Sequence, residues 1–549
     1  MTDPALWQDV DAEPFTWYVP ERFNIAGACV VDQPPGDLAL VVDDGDGPAR
    51  HYSFGELDDL SARLATALTG LGLERGDRLG VMVPQGLEVA LAHLAGYRLG
   101  LVVLPLSVQF GPDALAYRLA DAGARALVVF AEGLSRLVGT WDRMPDLAHV
   151  VLVGDSDAGT GHARSHRFDD LVTGTDPTPG VVDTAADDPG LLIYTSGTTG
   201  AAKGALHRHQ VVLAQMPGMR LSHDGFPQPG DVFWTPGDWA WAGGLFDALL
   251  PTWLCGRPIV ASARRFSPEW AYELMARHGV TSTFLPPTAL KQMRRAGPPP
   301  AGVALRSVAS GGEALGGSIL DWAREHLGVG IREFYGQTEL NYTVGNRAGT
   351  PTRPGSMGRP YPGTTVAIVD SGEPEGREVP DGTPGEAAVA LPHPGCFLGY
   401  WGRPEKTREK AHDGWLFTGD TVTRDADGHL WFLGRADDVI TSGGYRIGPA
   451  EIEECLLSHP AVEMAAVVGI PDEMRGQAVA AFVVTSGASG AADDRAAEEL
   501  ATELQEHVKH RLAFYEYPRT IRFVEELPMT ATGKIRRTEL RAMAAEEQA

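Results

Sequence analysis

The sequence predicts an α/β protein, with a large N-terminal domain of two α/β subdomains plus a β-rich lobe, and a small α+β C-terminal domain. Three observations lead there. Strand-like and helix-like patterns alternate through the first half, the rhythm of a parallel sheet with helical crossovers. Between about Gly355 and Leu433 the pattern shifts to short strands among Gly and Pro turns, as in TTVAIVD and GEAAVAL. From about Arg435 the tail carries its own helix and strand patterns, and roughly 110 residues suffice for a small domain. The expected boundaries are 1–434 and 435–549.

In chain order, RLGVMVP (78–84) reads as a buried strand and LEVALAHLAGYRLG (87–100) as a helix closed by Gly. LVVLPL (101–106) is a strand, ALAYRLADAG (114–123) a helix and RALVVF (125–130) a strand. Gly154 to His166 reads as a loop, and 172–190 as a linker into a second α/β unit. That unit includes the strand candidates TSTFLPP (281–287) and VALRSVAS (303–310). In the tail, GPAEIEECLLSH (448–459) opens as a helix, while MAAVVGI and AVAAFVV are strands around PDEMRGQ. Leu500, Leu504, Val508 and Leu512 recur every four residues, so 493–512 is an amphipathic helix. TIRFVEEL is the last strand.

Composition narrows the function. With 43% hydrophobic and 21% charged residues, the 549-residue chain is neither disordered nor fibrous. Its net charge of −26 repels phosphate backbones and anionic lipids, so neither a nucleic-acid partner nor membrane insertion is expected. A local basic pocket for a small anion remains allowed. Cys29, Cys255, Cys396 and Cys455 have neither disulfide-scaffold nor zinc-site spacing. The start is acidic, without a basic segment leading into an apolar core, and the apolar runs are too short or Pro-broken to span a bilayer. The expectation is a cytoplasmic protein.

LLIYTSGTTGAAKGA (191–205) is the strongest local signal. An apolar strand runs into Thr195, Ser196, Gly197, Thr198, Thr199 and Gly200, with Lys203 just beyond. Glycines admit an anion close to backbone N–H groups, hydroxyls add donors and the lysine adds charge, a combination suited to a polyphosphate. It is not a Walker loop, because Ala202 precedes Lys203 and Gly204 follows it, and GxGxxG is absent.

This segment resembles the phosphate loop of the adenylate-forming superfamily: acyl-CoA synthetases, peptide-synthetase adenylation domains and firefly luciferase. ASGGEAL (309–315), EFYGQTE (333–339), LFTGD (416–420), GRADDVITSGGYRIGPAEIE (434–453) and PMTATGKIRR (528–537) follow in the family's order and spacing. The resemblance spans about residues 50 to 540, and is closest to the medium-chain acyl-CoA synthetases. It implies ATP, magnesium and CoA as cofactor and co-substrates, a carboxylic acid as substrate, and a C-terminal domain that acts as a mobile lid.

The resemblance also distributes roles. Gly312, Glu313, Ala314, Glu333, Phe334, Tyr335, Gly336, Gln337 and Thr338 join the phosphate loop in binding ATP. Phe334 and Tyr335 would offer aromatic faces to the base, Thr338 a phosphate donor and Glu339 the magnesium ligand. Asp420 would take both ribose hydroxyls, with Arg435 reaching ribose or phosphate. Lys534 would bridge the substrate carboxylate and the α-phosphate, where a cation offsets the repulsion between two anions. Asp437 would be the hinge about which the lid exchanges Lys534 for the Gly443, Gly444, Tyr445, Arg446 loop, which lines the thiol tunnel. Arg475, Lys509 and Tyr517 would contact CoA. His207 and His209 read as structural rather than metal-binding.

The acyl pocket is less defined. FWTPGDWAWAGGLF (233–246) would wall it, through Trp239 and Trp241 together with Gly312 and Gly336, although core packing accounts for Trp234, Trp239 or Trp241 equally well. In acetyl-CoA synthetases a Trp at the place of Gly336 closes the pocket, so glycine implies room for a short-to-medium acid. The expected function is therefore an AMP-forming acyl-CoA synthetase. The rivals are an enzyme that loads a separate carrier protein and a non-catalytic acyl or nucleotide sensor.

Overall fold

The structure is a computed structural model describing residues 10, 14–178, 180–195, 202–312, 315–350, 352–370, 377–435, 438, 440–442, 445–472, 476–486, 494–512, 516–530 and 534–546. Among the described residues it mixes helices with sheets of eight, fourteen and five strands, the last mainly antiparallel as an α+β C-terminal domain requires.

The eight-stranded sheet holds the predicted strand–helix alternation. Arg78–Met82, Val102–Pro105, Ala126–Phe130 and His149–Val153 are parallel, with helices Leu87–Arg98 and Pro112–Ala122 as crossovers. Arg164–Arg167 extends the edge, so the loop expected at 154–166 ends in a strand. Pro189–Thr195 and Lys203–Arg208 form an antiparallel hairpin, and the phosphate loop is its connection. The expected linker at 172–190 does not separate domains: Thr184 donates to the Phe23 carbonyl at 2.7 Å, and Ala185 bridges Arg22.

The fourteen-stranded sheet is parallel at its centre, where Ile331–Gln337, Ser307–Gly311, Ser282–Phe284, Phe233–Trp234, Ile259–Ala261 and Leu38–Val42 lie side by side. Its strands come from both ends of the N-terminal region, so the two α/β subdomains interleave in sequence. The expected β-rich lobe is continuous with this sheet rather than free-standing. Leu340–Gly345 pairs with Ser356–Pro360, which pairs with Leu430–Arg435, and the sheet continues through Trp415–Arg424, Gly385–Ala390 and Val366–Val369.

The lobe folds back over the sheet. Trp415–Arg424 lies four strand positions from Ile331–Gln337, a separation of about 19 Å in a flat sheet. Side chains from these two strands nevertheless hydrogen-bond (below), so the sheet must curl between them. The curl passes through Gly345 and Gly358: a Cβ on Gly358 would lie 2.1 Å from the Gly345 carbonyl carbon, and Gly358 has φ +97°.

The five-stranded sheet begins at Ile440 and is built entirely from the chain that follows. Val462–Asp472 and Gly476–Thr485 are its long antiparallel pair. Alternation sends Val467, Val479, Ala481 and Val483 toward helices Pro449–Leu457 and Asp494–Arg511, and sends Ala466, Val468, Ala480 and Phe482 toward helix Arg537–Glu546. Leu504 and Val508 are fully buried, as the four-residue repeat predicts.

Substituting Gly358→Ala adds backbone strain and overlap, and is expected to cost about 1–3 kcal/mol or more. It should also weaken nucleotide binding, because the curl assembles the site described next. Urea denaturation and adenosine binding measure the two effects; an unchanged midpoint would show that the strands do not meet this closely.

Candidate active site

Asp420 lies on strand Trp415–Arg424 and is 3% exposed. A buried carboxylate requires donors. Arg435 is its cross-strand partner and brings Nη1 within 3.1 Å of Oδ1. From the strand across the curl, the Tyr335 hydroxyl and Gln337 Nε2 both donate to Oδ2, the latter at 2.5 Å. Tyr335 and Gln337 are two residues apart and share one strand face. Burial, followed by the Asp420 charge, pushes the Tyr335 phenol well above its usual range, so it acts as a donor.

Glu339 follows in the turn between strands Ile331–Gln337 and Leu340–Gly345, and is 8% exposed. The Tyr400 hydroxyl donates to its Oε1. The Lys203 ammonium sits 4.6 Å from the centre of the same Tyr400 ring, a cation–π contact. Tyr400 thus links the end of the phosphate loop to Glu339. Buried His207 packs its ring 5.3 Å from Phe246, near Glu339. Burial lowers its pKa to about 4, with Glu339 opposing, so the ring is neutral at physiological pH. Next to Lys203 in the chain, Ala202 accepts at its carbonyl from Tyr117 at 2.9 Å; the Tyr117 hydroxyl accepts from Arg403, which also bonds Asp121 at 2.7 Å.

The structure therefore brings together Lys203, Tyr335, Gln337, Glu339, Asp420 and Arg435, with Thr338 beside Glu339 in its turn. Thr195 pairs with Lys203 across the hairpin. Ser196, Gly197, Thr198, Thr199, Gly200, Glu313, Ala314, Asp437, Gly443, Gly444 and Arg475 lie outside the described residues, as do the side chains of Tyr445 and Arg446.

Several expectations change. Phe334 does not join Tyr335 as a platform for a base: it points to the opposite face, stacks on Tyr342 at 4.3 Å and packs against Phe284. Glu333 is buried, accepts from Leu315 N at 2.9 Å, and burial raises its pKa to about 7. Trp239 is 1% exposed and packs on Trp253 in the core, so it cannot wall a substrate pocket. Trp241 packs edge-on against Phe110 in a different cluster. The space expected at Gly336 is already filled: a Cβ there would lie 2.8 Å from Tyr342 N and 2.9 Å from Asn341 Cα. His209 is structural, accepting from Ile25 N at 3.2 Å.

Lys534 is not drawn into this cluster. Its side chain is exposed and, among the described residues, makes no hydrogen bond or ion pair; its backbone N bonds Thr530 Oγ1 at 3.1 Å. On the C-terminal domain, Lys509 and Arg519 flank the Tyr517 ring at 4.5 and 4.0 Å. Arg519, Tyr400 and Lys410 (discussed below) were not singled out from sequence. Tyr400 and Arg519 carry no local motif signal; only their partners distant in the chain show what they do.

The family match and the relatives make this chain an adenylate-forming enzyme, with the curled sheet and its two buried carboxylates as the candidate site. The chain belongs to the AMP-binding enzyme family, which matches residues 29–401, with the family's C-terminal domain matching 451–534. It is 36% identical to an uncharacterised acyl-CoA ligase of Bacillus subtilis, covering 95% of this chain and 94% of that protein. It is 34% identical to the mitochondrial acyl-coenzyme A synthetase ACSM4 of Rattus norvegicus, covering 98% and 94%. A solved structure of the anthranilate CoA ligase AuaEII with anthranoyl-AMP superposes with TM-score 0.84 at 29% identity, covering 96% and 99%. These relatives support the resemblance to the medium-chain subgroup. Among the described residues, no helix is long and apolar enough to cross a membrane.

Because the Gly336 Cβ position meets backbone, Gly336→Ala is expected to lower kcat/KM by a similar factor for every acid tested. A shift in preferred chain length at unchanged thermal stability would restore the open-pocket interpretation.

Proposed function

We propose that the protein is an AMP-forming acyl-CoA synthetase acting on a short-to-medium-chain carboxylic acid. The observation that carries this reading is the buried Asp420 carboxylate, held by Arg435, Tyr335 and Gln337 at the curl and suited to a ribose diol. The likeness to acyl-CoA ligases supports the reaction, and the medium-chain resemblance supports the acid class; Gly336 no longer does.

In the proposed first half-reaction, a carboxylate oxygen of the acid attacks the α-phosphorus of ATP and pyrophosphate leaves. The phosphate loop and Lys203 hold the polyphosphate. Glu339 fits a hard metal ion: its carboxylate is buried, Oε1 is held by Tyr400, and among the described residues no donor reaches Oε2. Thr338 would stand beside it. Magnesium held there supplies charge neutralisation on the phosphates. Lys534 approaches as the C-terminal domain turns and offsets the charge where the two anions meet. In the second half-reaction, CoA thiolate attacks the acyl carbon and AMP leaves, with Lys509, Tyr517 and Arg519 receiving the CoA nucleotide.

The proposed hinge falls between the sheets, which supports a division close to the expected 1–434 and 435–549 but with Arg435 on the N-terminal side, since its strand pairs with that of Asp420. The chain leaves the fourteen-stranded sheet at Arg435 and enters the five-stranded one at Ile440. Asp438, next to the proposed pivot Asp437, is fixed to the C-terminal domain by Arg541 at 2.5 Å and Arg537 at 3.6 Å.

Magnesium ATP with an acid panel from two to twelve carbons plus benzoate should release pyrophosphate and AMP, and form acyl-CoA once CoA is added. Lys534→Ala should cut adenylation by about 10²–10³-fold while still converting supplied acyl-AMP to acyl-CoA. Failure to make AMP from any acid would overturn the proposal.

A further inference from the structure

We infer that Lys410 is a positioning residue of the nucleotide subsite, acting through the Gln337 amide on Asp420. The inference rests on the nucleotide-binding reading of this site.

Lys410 ends helix Pro404–Lys410, none of whose residues is fully buried. Its own side chain turns inward between strands Ile331–Gln337 and Trp415–Arg424. The ammonium donates to Gln337 Oε1 at 2.9 Å and to the Thr418 carbonyl at 2.7 Å. Desolvation lowers its pKa, while the charges of Glu339 and Asp420 act against that shift. A cation is thus placed beside two buried carboxylates.

Lysine can only donate. With its ammonium on Oε1, the Gln337 amide has one orientation open to it, with Nε2 facing the Thr418 carbonyl at 2.8 Å and Asp420 Oδ2 at 2.5 Å. Flipped, the amide would aim its NH2 at the ammonium and its oxygen at the Asp420 carboxylate, two repulsive contacts. Lys410 therefore makes Gln337 a donor toward Asp420. With the Tyr335 hydroxyl also on Oδ2 and Arg435 on Oδ1, the carboxylate plane is fixed before a ribose arrives. Fixing a polar group in advance removes the ordering cost from binding.

The test uses full-length protein and three metal-free probes: adenosine, 2′-deoxyadenosine and AMP. Calorimetric titration compares the wild type with Lys410→Met, Gln337→Leu and the double variant. Loss of a hydrogen bond to a charged group predicts about a tenfold weaker Kd for adenosine in each single variant. The double variant should be no weaker than either single one, because both break the same relay. AMP should lose affinity by the same factor as adenosine, and the preference for adenosine over the 2′-deoxy form should shrink. Lys410→Gln, which cannot fix the amide orientation, provides a milder second variant if Lys410→Met does not fold.

Additive losses, a loss confined to AMP, or an unchanged ribose preference would overturn the inference. The first two would make Lys410 an independent contributor or a simple counter-charge. A wild type that binds neither adenosine nor AMP would instead overturn the nucleotide-binding reading on which the inference rests.

Discussion

The site depends on a curl in one sheet. Asp420 and Tyr335 lie on strands four positions apart, yet they share a hydrogen bond. That is possible only because the antiparallel half of the sheet turns back over the parallel half. Two glycines, Gly345 and Gly358, lie where the turn is tightest, and neither leaves room for a Cβ. The proposed nucleotide subsite is therefore a product of backbone geometry before it is a product of side-chain chemistry.

Burying Asp420 at this curl imposes a chain of requirements. Its oxygens need donors, so Tyr335, Gln337 and Arg435 converge on them. The Gln337 amide must then be held one way, which is the work of Lys410. Glu339, two residues beyond Gln337, needs its own donor and obtains it from Tyr400, whose ring also carries the Lys203 ammonium. Tyr400 lies on strand Gly399–Tyr400, at the edge of the eight-stranded sheet beside Lys203–Arg208. One short strand thus joins the phosphate-loop hairpin of one sheet to the acidic turn of the other.

What could be read from sequence and what could not divide along this line. Local pattern located Arg78–Met82, Leu87–Arg98 and Ala126–Phe130 as apolar runs buried nearly throughout, and Asp494–Arg511 by its four-residue apolar repeat. Ordered motifs located Asp420, Glu339 and Arg435. Relations between distant segments were not legible. Strand alternation was enough to send Phe334 and Tyr335 to opposite faces, but the motif drew attention to both. Gly336 looked like empty space because the backbone of Asn341 and Tyr342 beside it cannot be seen in a linear chain. Trp239 looked like a pocket wall, although its partner Trp253 lies in a later helix. Lys410 carried no signal: a lysine closing a polar helix normally points into water.

The same distinction explains how one site can serve two half-reactions. The proposed nucleotide subsite draws its donors to Asp420 from strands of one sheet. The groups that would differ between the steps are carried elsewhere: Lys534 is exposed on the C-terminal domain, and Lys509, Tyr517 and Arg519 cluster on that domain as well. Asp438 is pinned to that domain's last helix by two arginines, so in the proposed cycle bending is confined to the few residues between it and Arg435. Two contacts across the boundary differ in kind: Gly448 packs so closely on Leu433 that a Cβ would lie 2.3 Å from its carbonyl oxygen. Arg295 and Glu463 form an ion pair at 3.1 Å with both side chains solvent-accessible, a type of pair that contributes about 0–1 kcal/mol. In the proposed cycle the domain turns about those residues and gives up this ion pair at little cost. The Asp420 network does not have to break for it to do so, which is what a reaction requires if AMP must stay in place while the chemistry beside it changes.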